Sequence, residues 1–148
     1  METKIPPPIV TLVFGLSIYF SRGIFQVVEI KYSFYFGILL LLLGFVILIS
    51  AVRLFRKDKT TVNPLSPEQA TTLVTDGIFK YSRNPMYLGM ALVLGSIAVF
   101  FNIIGGIILV ALFCAYITKF QILPEERAMR DLFSDDFDKY TKVTRRWI

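Results

Sequence analysis

The stretch from Met86 to Leu123, MYLGMALVLGSIAVFFNIIGGIILVALFCAYITKFQIL, decides the fold. It runs about 38 residues and holds one charged side chain, Lys119. A single helix of that length would reach roughly 57 Å, well past a hydrocarbon core of about 30 Å. Asn102 and the pair Gly105-Gly106 sit near its middle. The stretch therefore reads as two helices, 85–101 and 103–122, joined by a tight turn. Asn84 suits the N-cap of the first helix and Pro85 its first helical position. Pro124 is expected to end the second, because proline removes a donor and clashes with the preceding turn.

Outward from that stretch, two more apolar runs precede it, at 9–25 and 34–54. The first lacks the charge pattern and small-residue cleavage site of a signal peptide, so it reads as a retained helix. A polar loop covers 55–84, and a charged tail covers 124–148. In the tail, Phe133, Phe137 and Tyr140 fall at i, i+4 and i+7, one face of a helix, with Val143 and Trp147 extending it. The expected fold is all-α, a single domain over 1–148. It is a multi-span integral membrane protein with about four transmembrane helices and a C-terminal amphipathic helical segment.

The chain of 148 residues carries a net charge of +5, with 55% hydrophobic residues. In a soluble protein such a charge would raise nucleic acid as a partner. Here the basic residues flank apolar runs, so orientation in a membrane explains them and no nucleic acid is expected. Four spans put both termini and the 55–84 loop on one side, with all of the 16 Lys and Arg residues except Arg22 and Lys31. The positive-inside rule assigns that side to the cytoplasm. The chain has no histidine, which excludes His-dependent zinc sites, Ser-His-Asp triads and His general bases, and no metal is expected. Its one cysteine, Cys114, lies in an apolar run and reads as a small packing residue.

Two polar clusters flank the last two spans on the cytoplasmic side. One is Tyr81-Ser82-Arg83-Asn84-Pro85-Met86-Tyr87-Leu88-Gly89, and the other is Pro124-Glu125-Glu126-Arg127. A tight turn between the helices makes these ends neighbours. Free N–H groups at the helix start, the helix dipole and Arg83 favour an anion, and Gly89 permits close approach. The acidic pair suits an ammonium or ribose hydroxyls. A ligand with both a carboxylate and an amine fits. The plain alternatives are an orienting arginine and acids favoured at a helix start.

In order along the chain come Thr60-Thr61-Val62-Asn63-Pro64, then Leu73-Val74-Thr75-Asp76-Gly77-Ile78-Phe79, then Ser82 through Gly89. Pro124-Glu125-Glu126-Arg127, Phe133, Tyr140 and Arg145-Arg146-Trp147 follow. This ordered set, over residues 60–148, resembles the isoprenylcysteine carboxyl methyltransferase family and its phospholipid methyltransferase relatives. The resemblance implies an S-adenosylmethionine-dependent membrane methyltransferase with a lipid-like acceptor. Two alternatives are a phospholipid or small-amine N-methyltransferase and a non-catalytic membrane scaffold or lipid-binding protein. The resemblance also implies cofactor contacts from Thr71, Thr72, Leu73, Val74, Gly77, Phe79, Asn84, Pro85, Met86, Tyr87, Gly89 and Glu125. Arg83 and Glu126 would be catalytic, and Gln121 and Arg130 would meet the substrate.

Three positions depart from the family pattern: Asn84 replaces a histidine, Gln121 a substrate-binding arginine and Ser134 a glycine. The membrane would be the plasma membrane in a bacterium and the endoplasmic reticulum in a eukaryote. The topology predicts that a cysteine introduced as Ser66→Cys labels only from the cytoplasmic side. Labelling from outside intact cells would refute it.

Overall fold

The computed structural model describes residues 4–26, 28, 30–58 and 70–148. The loop residues 59–69, with Ser66 and the motif Thr60 to Pro64, lie outside the described residues. Every regular element among the described residues is helical: α1 (Pro7–Ser21), α2 (Ser33–Lys57), a 3-10 turn (Gly77–Lys80), α3 (Pro85–Phe101), α4 (Ile103–Ile117), a π-turn (Thr118–Ile122) and α5 (Leu123–Val143). Two helices are long and apolar enough to cross a membrane: α2, and the 41-residue helical stretch from Ile103 to Val143, kinked at Ser134. α1 and α3 are apolar but shorter, at 15 and 17 residues.

Large apolar side chains such as Leu12, Leu16, Leu39, Leu42, Val46 and Leu112 point outward, each more than half exposed. A helix apolar on all sides belongs in lipid rather than water. The core between the helices is small and tightly drawn. Ile18, Leu94, Phe113, Ile117 and Ile122 are fully buried in one cluster. α2 and α3 cross where Gly44 faces Gly89. A Cβ on Gly89 would lie 2.7 Å from Leu48 Cγ and 2.8 Å from the Gly44 carbonyl oxygen. Small residues let helix backbones touch where lipid offers no hydrophobic drive. The close approach expected of Gly89 is therefore to α2, not to a ligand.

The turn between α3 and α4 is one residue, Asn102, buried to 1% exposure. Its Oδ1 accepts from the Gly105 N–H at 2.9 Å, capping α4, and its Nδ2 donates to the Phe25 carbonyl at 3.0 Å. Gly105 and Gly106 lie inside α4, facing Ser21 and Ala98.

Pro124 does not end the rod. The π-turn just before it loosens the ladder where proline lacks its N–H and would crowd the carbonyl four residues back, so the helix continues. In α5, Phe137 and Tyr140 are buried and Phe133 packs beside them, whereas Val143 is 81% exposed and leaves the apolar face. Trp147 instead packs on the α1/α3/α4 cluster and donates its indole N–H to Thr118 Oγ1 at 3.2 Å.

Ser134 kinks α5, with φ 39° and ψ −113°. That region suits glycine and strains any residue with a Cβ. Ser134→Gly is expected to stabilise the protein by about 1 kcal/mol, read as a higher unfolding temperature in detergent. An unchanged or lower temperature would mean that the kink carries no strain.

Candidate active site

Four helix ends meet at one end of the bundle: the starts of α1, α3 and α5 and the finish of α2. Between them lies a cavity of about 240 Å3. Its walls are mostly apolar, with Phe55, Val74, Phe79, Met129 and Phe137 among them, and Arg83, Asn84, Tyr87, Glu125 and Glu126 supply the polar groups.

The polar side is built around Glu126. Arg83 Nη2 donates to Glu126 Oε1 at 2.7 Å. Arg146 grips the same carboxylate with two bonds, Nε to Oε1 at 3.0 Å and Nη2 to Oε2 at 2.7 Å. Arg83 Nη1 also donates to the Thr144 carbonyl at 2.5 Å, and the Arg83 backbone N–H donates to the Arg145 carbonyl at 3.0 Å. Burial alone would raise the Glu126 carboxyl. The hydrogen bonds from Arg146 and Arg83, with their charges, outweigh it and hold the group below the ordinary range.

Asn84 does not cap α3 with its side chain. Its Nδ2 donates to the Arg146 carbonyl at 3.0 Å. Ser82 Oγ accepts from the Asn84 N–H at 3.1 Å, and Tyr140 donates its hydroxyl to the Phe79 carbonyl at 2.6 Å. The tail thus buckles onto the segment that feeds α3.

Glu125 is left as the carboxylate without a basic partner among the described residues. It accepts from the Tyr87 hydroxyl. Burial pushes its pKa up to about 7, aided by the neighbouring Glu126 charge and opposed by the Tyr87 bond. The α3 start has no side-chain cap, and Met86 and Tyr87 in its first turn line the cavity, so the N-terminal end of the helix dipole lies at the site. Arg83 Nε is buried and has no hydrogen-bond partner among the described residues.

Of the residues predicted from sequence, Thr72, Leu73, Val74, Phe79, Arg83, Asn84, Pro85, Met86, Tyr87, Glu125 and Glu126 line this one cavity. The others stand elsewhere. Thr71 is exposed beside the cavity rather than in its wall. Gly77 takes a left-handed φ of 58° to start the 3-10 turn, with Leu54 packed where a Cβ would go. Gly89 sits at the α2 crossing. Gln121 is 1% exposed and donates Nε2 to the Ile5 carbonyl at 2.8 Å. Arg130 is exposed, paired with Asp138 at 3.0 Å and lying over the Phe137 ring. A helix position one turn from the acidic pair was read as facing the site, but the π-turn rotates Gln121 off that register. Sequence reading missed Pro7, Pro8, Phe55, Met90 and Met129 as lining residues. It also missed the role of Arg146, whose only signal was its place in the Arg-Arg-Trp ending.

Outward-facing apolar helices that share one pocket of mixed polarity at a common end fit a membrane protein. The chain matches the family model for phospholipid methyltransferase over residues 32–136, more than half its length, and belongs to that family. It is a membrane methyltransferase. No curated protein and no solved structure matches it.

Glu125 gives the apo protein a distinctive pH dependence. The unfolded carboxyl loses its proton near the ordinary value of about 4.3, while the folded one keeps it to about 7. The unfolded state therefore binds fewer protons between these values, and stability falls as pH rises through that window, then levels. The expected drop in unfolding temperature between about pH 4.5 and 7.5 is on the order of 5 °C. Glu125→Gln should flatten the curve. An equal slope in that variant would assign the effect to another group.

Proposed function

We propose that the chain is an S-adenosylmethionine-dependent methyltransferase that acts on a lipid-like acceptor. In this reading α1, α2, α3 and the segment 103–122 are four membrane spans, with the pocket opening to the cytoplasm. Supporting the four spans are the all-round apolar faces of α1 and α3 and the meeting of four helix ends at the pocket. Supporting the orientation is the basic residue excess at that end.

The observation that carries the proposal is the pairing of opposite polarities within one small cavity. Glu125 offers a carboxyl group with no basic partner among the described residues, which a bound cation would hold in its ionised form. The α3 N–H groups offer donors for a carboxylate. Phe79, Val74 and Leu73 offer apolar surface for a flat ring. A zwitterionic amino acid joined to an aromatic base fits that set. When bound, S-adenosylmethionine supplies an electrophilic methyl group on a sulfonium.

Methyl transfer is an in-line displacement, in which positioning supplies most of the rate. Here Glu125 would hold the cofactor ammonium, and the α3 start its carboxylate. Arg83 and Glu126 act on each other and on the tail, so their role is to position these groups and close the cytosolic side to water. Family membership favours a phospholipid amine as the acceptor over a prenylcysteine carboxylate. Gln121 points the same way: it stands where a carboxylate-binding arginine was expected and is bonded to the N-terminal segment instead.

Isothermal titration with S-adenosylhomocysteine tests the cofactor reading. Glu125→Gln is expected to weaken binding more than tenfold, about 1.4 kcal/mol. Unchanged affinity would reduce the acidic pair to a helix-start feature. No binding by folded wild type would favour a non-catalytic scaffold.

A further inference from the structure

Two helix starts face the same pocket, and they are chemically opposite. At α3 the N–H groups of Met86 and Tyr87 are available to an anion. At α1 the N-cap and the first two helical residues are Pro6, Pro7 and Pro8, none of which has an N–H. The next donor, the Ile9 N–H, is already spent on the Pro6 carbonyl at 2.9 Å. A helix start normally presents unsatisfied donors and attracts anions. This one presents hydrocarbon, with Met90 beside it in the cavity wall.

The residues around the α1 start pack in a different apolar cluster from the surface assigned to adenosine. Val74, Phe79, Phe55 and Phe137 belong to one apolar cluster, on the α2 end, the 3-10 turn and α5. Ile5, Tyr87 and Met90 belong to the other, on α1, α3 and α4. The cavity is bounded by both. Residues 1–31 fall outside the family match.

The N-terminal segment is pinned. Gln121, buried in the π-turn, holds the Ile5 carbonyl through Nε2, and Thr118 in the same turn holds Trp147 of the tail. One π-turn anchors both chain ends. Such turns recur at functional sites because they break helical register to aim a side chain.

We propose that Pro7 and Pro8 form a wall of the acceptor subsite and set which lipid chain fits, with Gln121 positioning them through the Ile5 carbonyl. This rests on the cofactor reading above. The proline start supplies a rigid apolar surface with no donor to desolvate, which suits an acyl chain and repels a free polar metabolite.

Pro8 is exposed, so Pro8→Trp narrows the pocket without disturbing the core. Wild type and variant would be incubated with labelled S-adenosylmethionine and vesicles of a total membrane lipid extract, and S-adenosylhomocysteine affinity measured alongside. Pro8→Trp is expected to cut label transfer to lipid about tenfold while cofactor-product affinity stays within about twofold. Gln121→Met, which leaves the Ile5 carbonyl without its donor, is expected to raise the KM for lipid with kcat little changed. Full activity in both variants overturns the proposal. So does a matched loss of S-adenosylhomocysteine affinity, which would move the wall to the cofactor side. Wild type that binds S-adenosylhomocysteine yet labels no lipid also overturns it, leaving the cofactor reading standing. Absence of binding defeats that underlying reading first.

Discussion

A single carboxylate, that of Glu126, ties together parts of the chain that sequence keeps far apart. It receives Arg83 from the start of α3 and Arg146 from the tail, with three bonds between 2.7 and 3.0 Å. Removing such charges from water is costly, and their attraction repays it only with good geometry and full hydrogen bonding. Here the fork of Arg146 is bidentate, and Arg83 spends its remaining terminal donor on backbone carbonyls of the tail. The result is less a gain in stability than a fixed register. The tail can sit in one place only, and that place closes the end of the bundle where the cavity lies.

That clamp explains the division of labour in the acidic pair. Adjacent residues on a helix point about 100° apart, so they meet different surroundings. Glu126 faces two guanidinium groups and stays ionised. Glu125 faces the Tyr87 hydroxyl and the cavity, and titrates near neutrality. In a chain without histidine, this is a titratable group at the site in the physiological range, available to a cationic partner. The same contrast recurs in the helix starts around the pocket, where α3 keeps its donors and the proline-led α1 has none.

Lipid-facing apolar surface, two glycines at the α2–α3 crossing and a one-residue Asn102 turn produce a bundle with little buried volume. Such a bundle relies on polar fastenings at its ends. Asn102 supplies one at the far end; Gln121, Thr118 and the Glu126 cluster supply them at the pocket end.

The sequence by itself determined that the protein is helical, that its helices are apolar, and where they begin. Hydrophobic run length and the Asn-Pro start of α3 are local signals, and the helix 85–101 was legible to the residue. It also singled out Arg83 and the acidic pair, because charge beside an apolar run is conspicuous. Only the tertiary structure decided which of these groups face the cavity and which face each other. Pro124 read as a helix end, but the π-turn lets the rod continue and carries Gln121 to the N-terminal segment. Arg130, Gly77 and Gly89 read as site residues, and their actual neighbours are Asp138, further along α5, and Leu54 and Gly44 of α2. Pro7 and Pro8 gave no local sign of a role, and Arg146 only its place in the Arg-Arg-Trp ending. Their places follow from which elements meet in three dimensions, and helix periodicity carries no information about that.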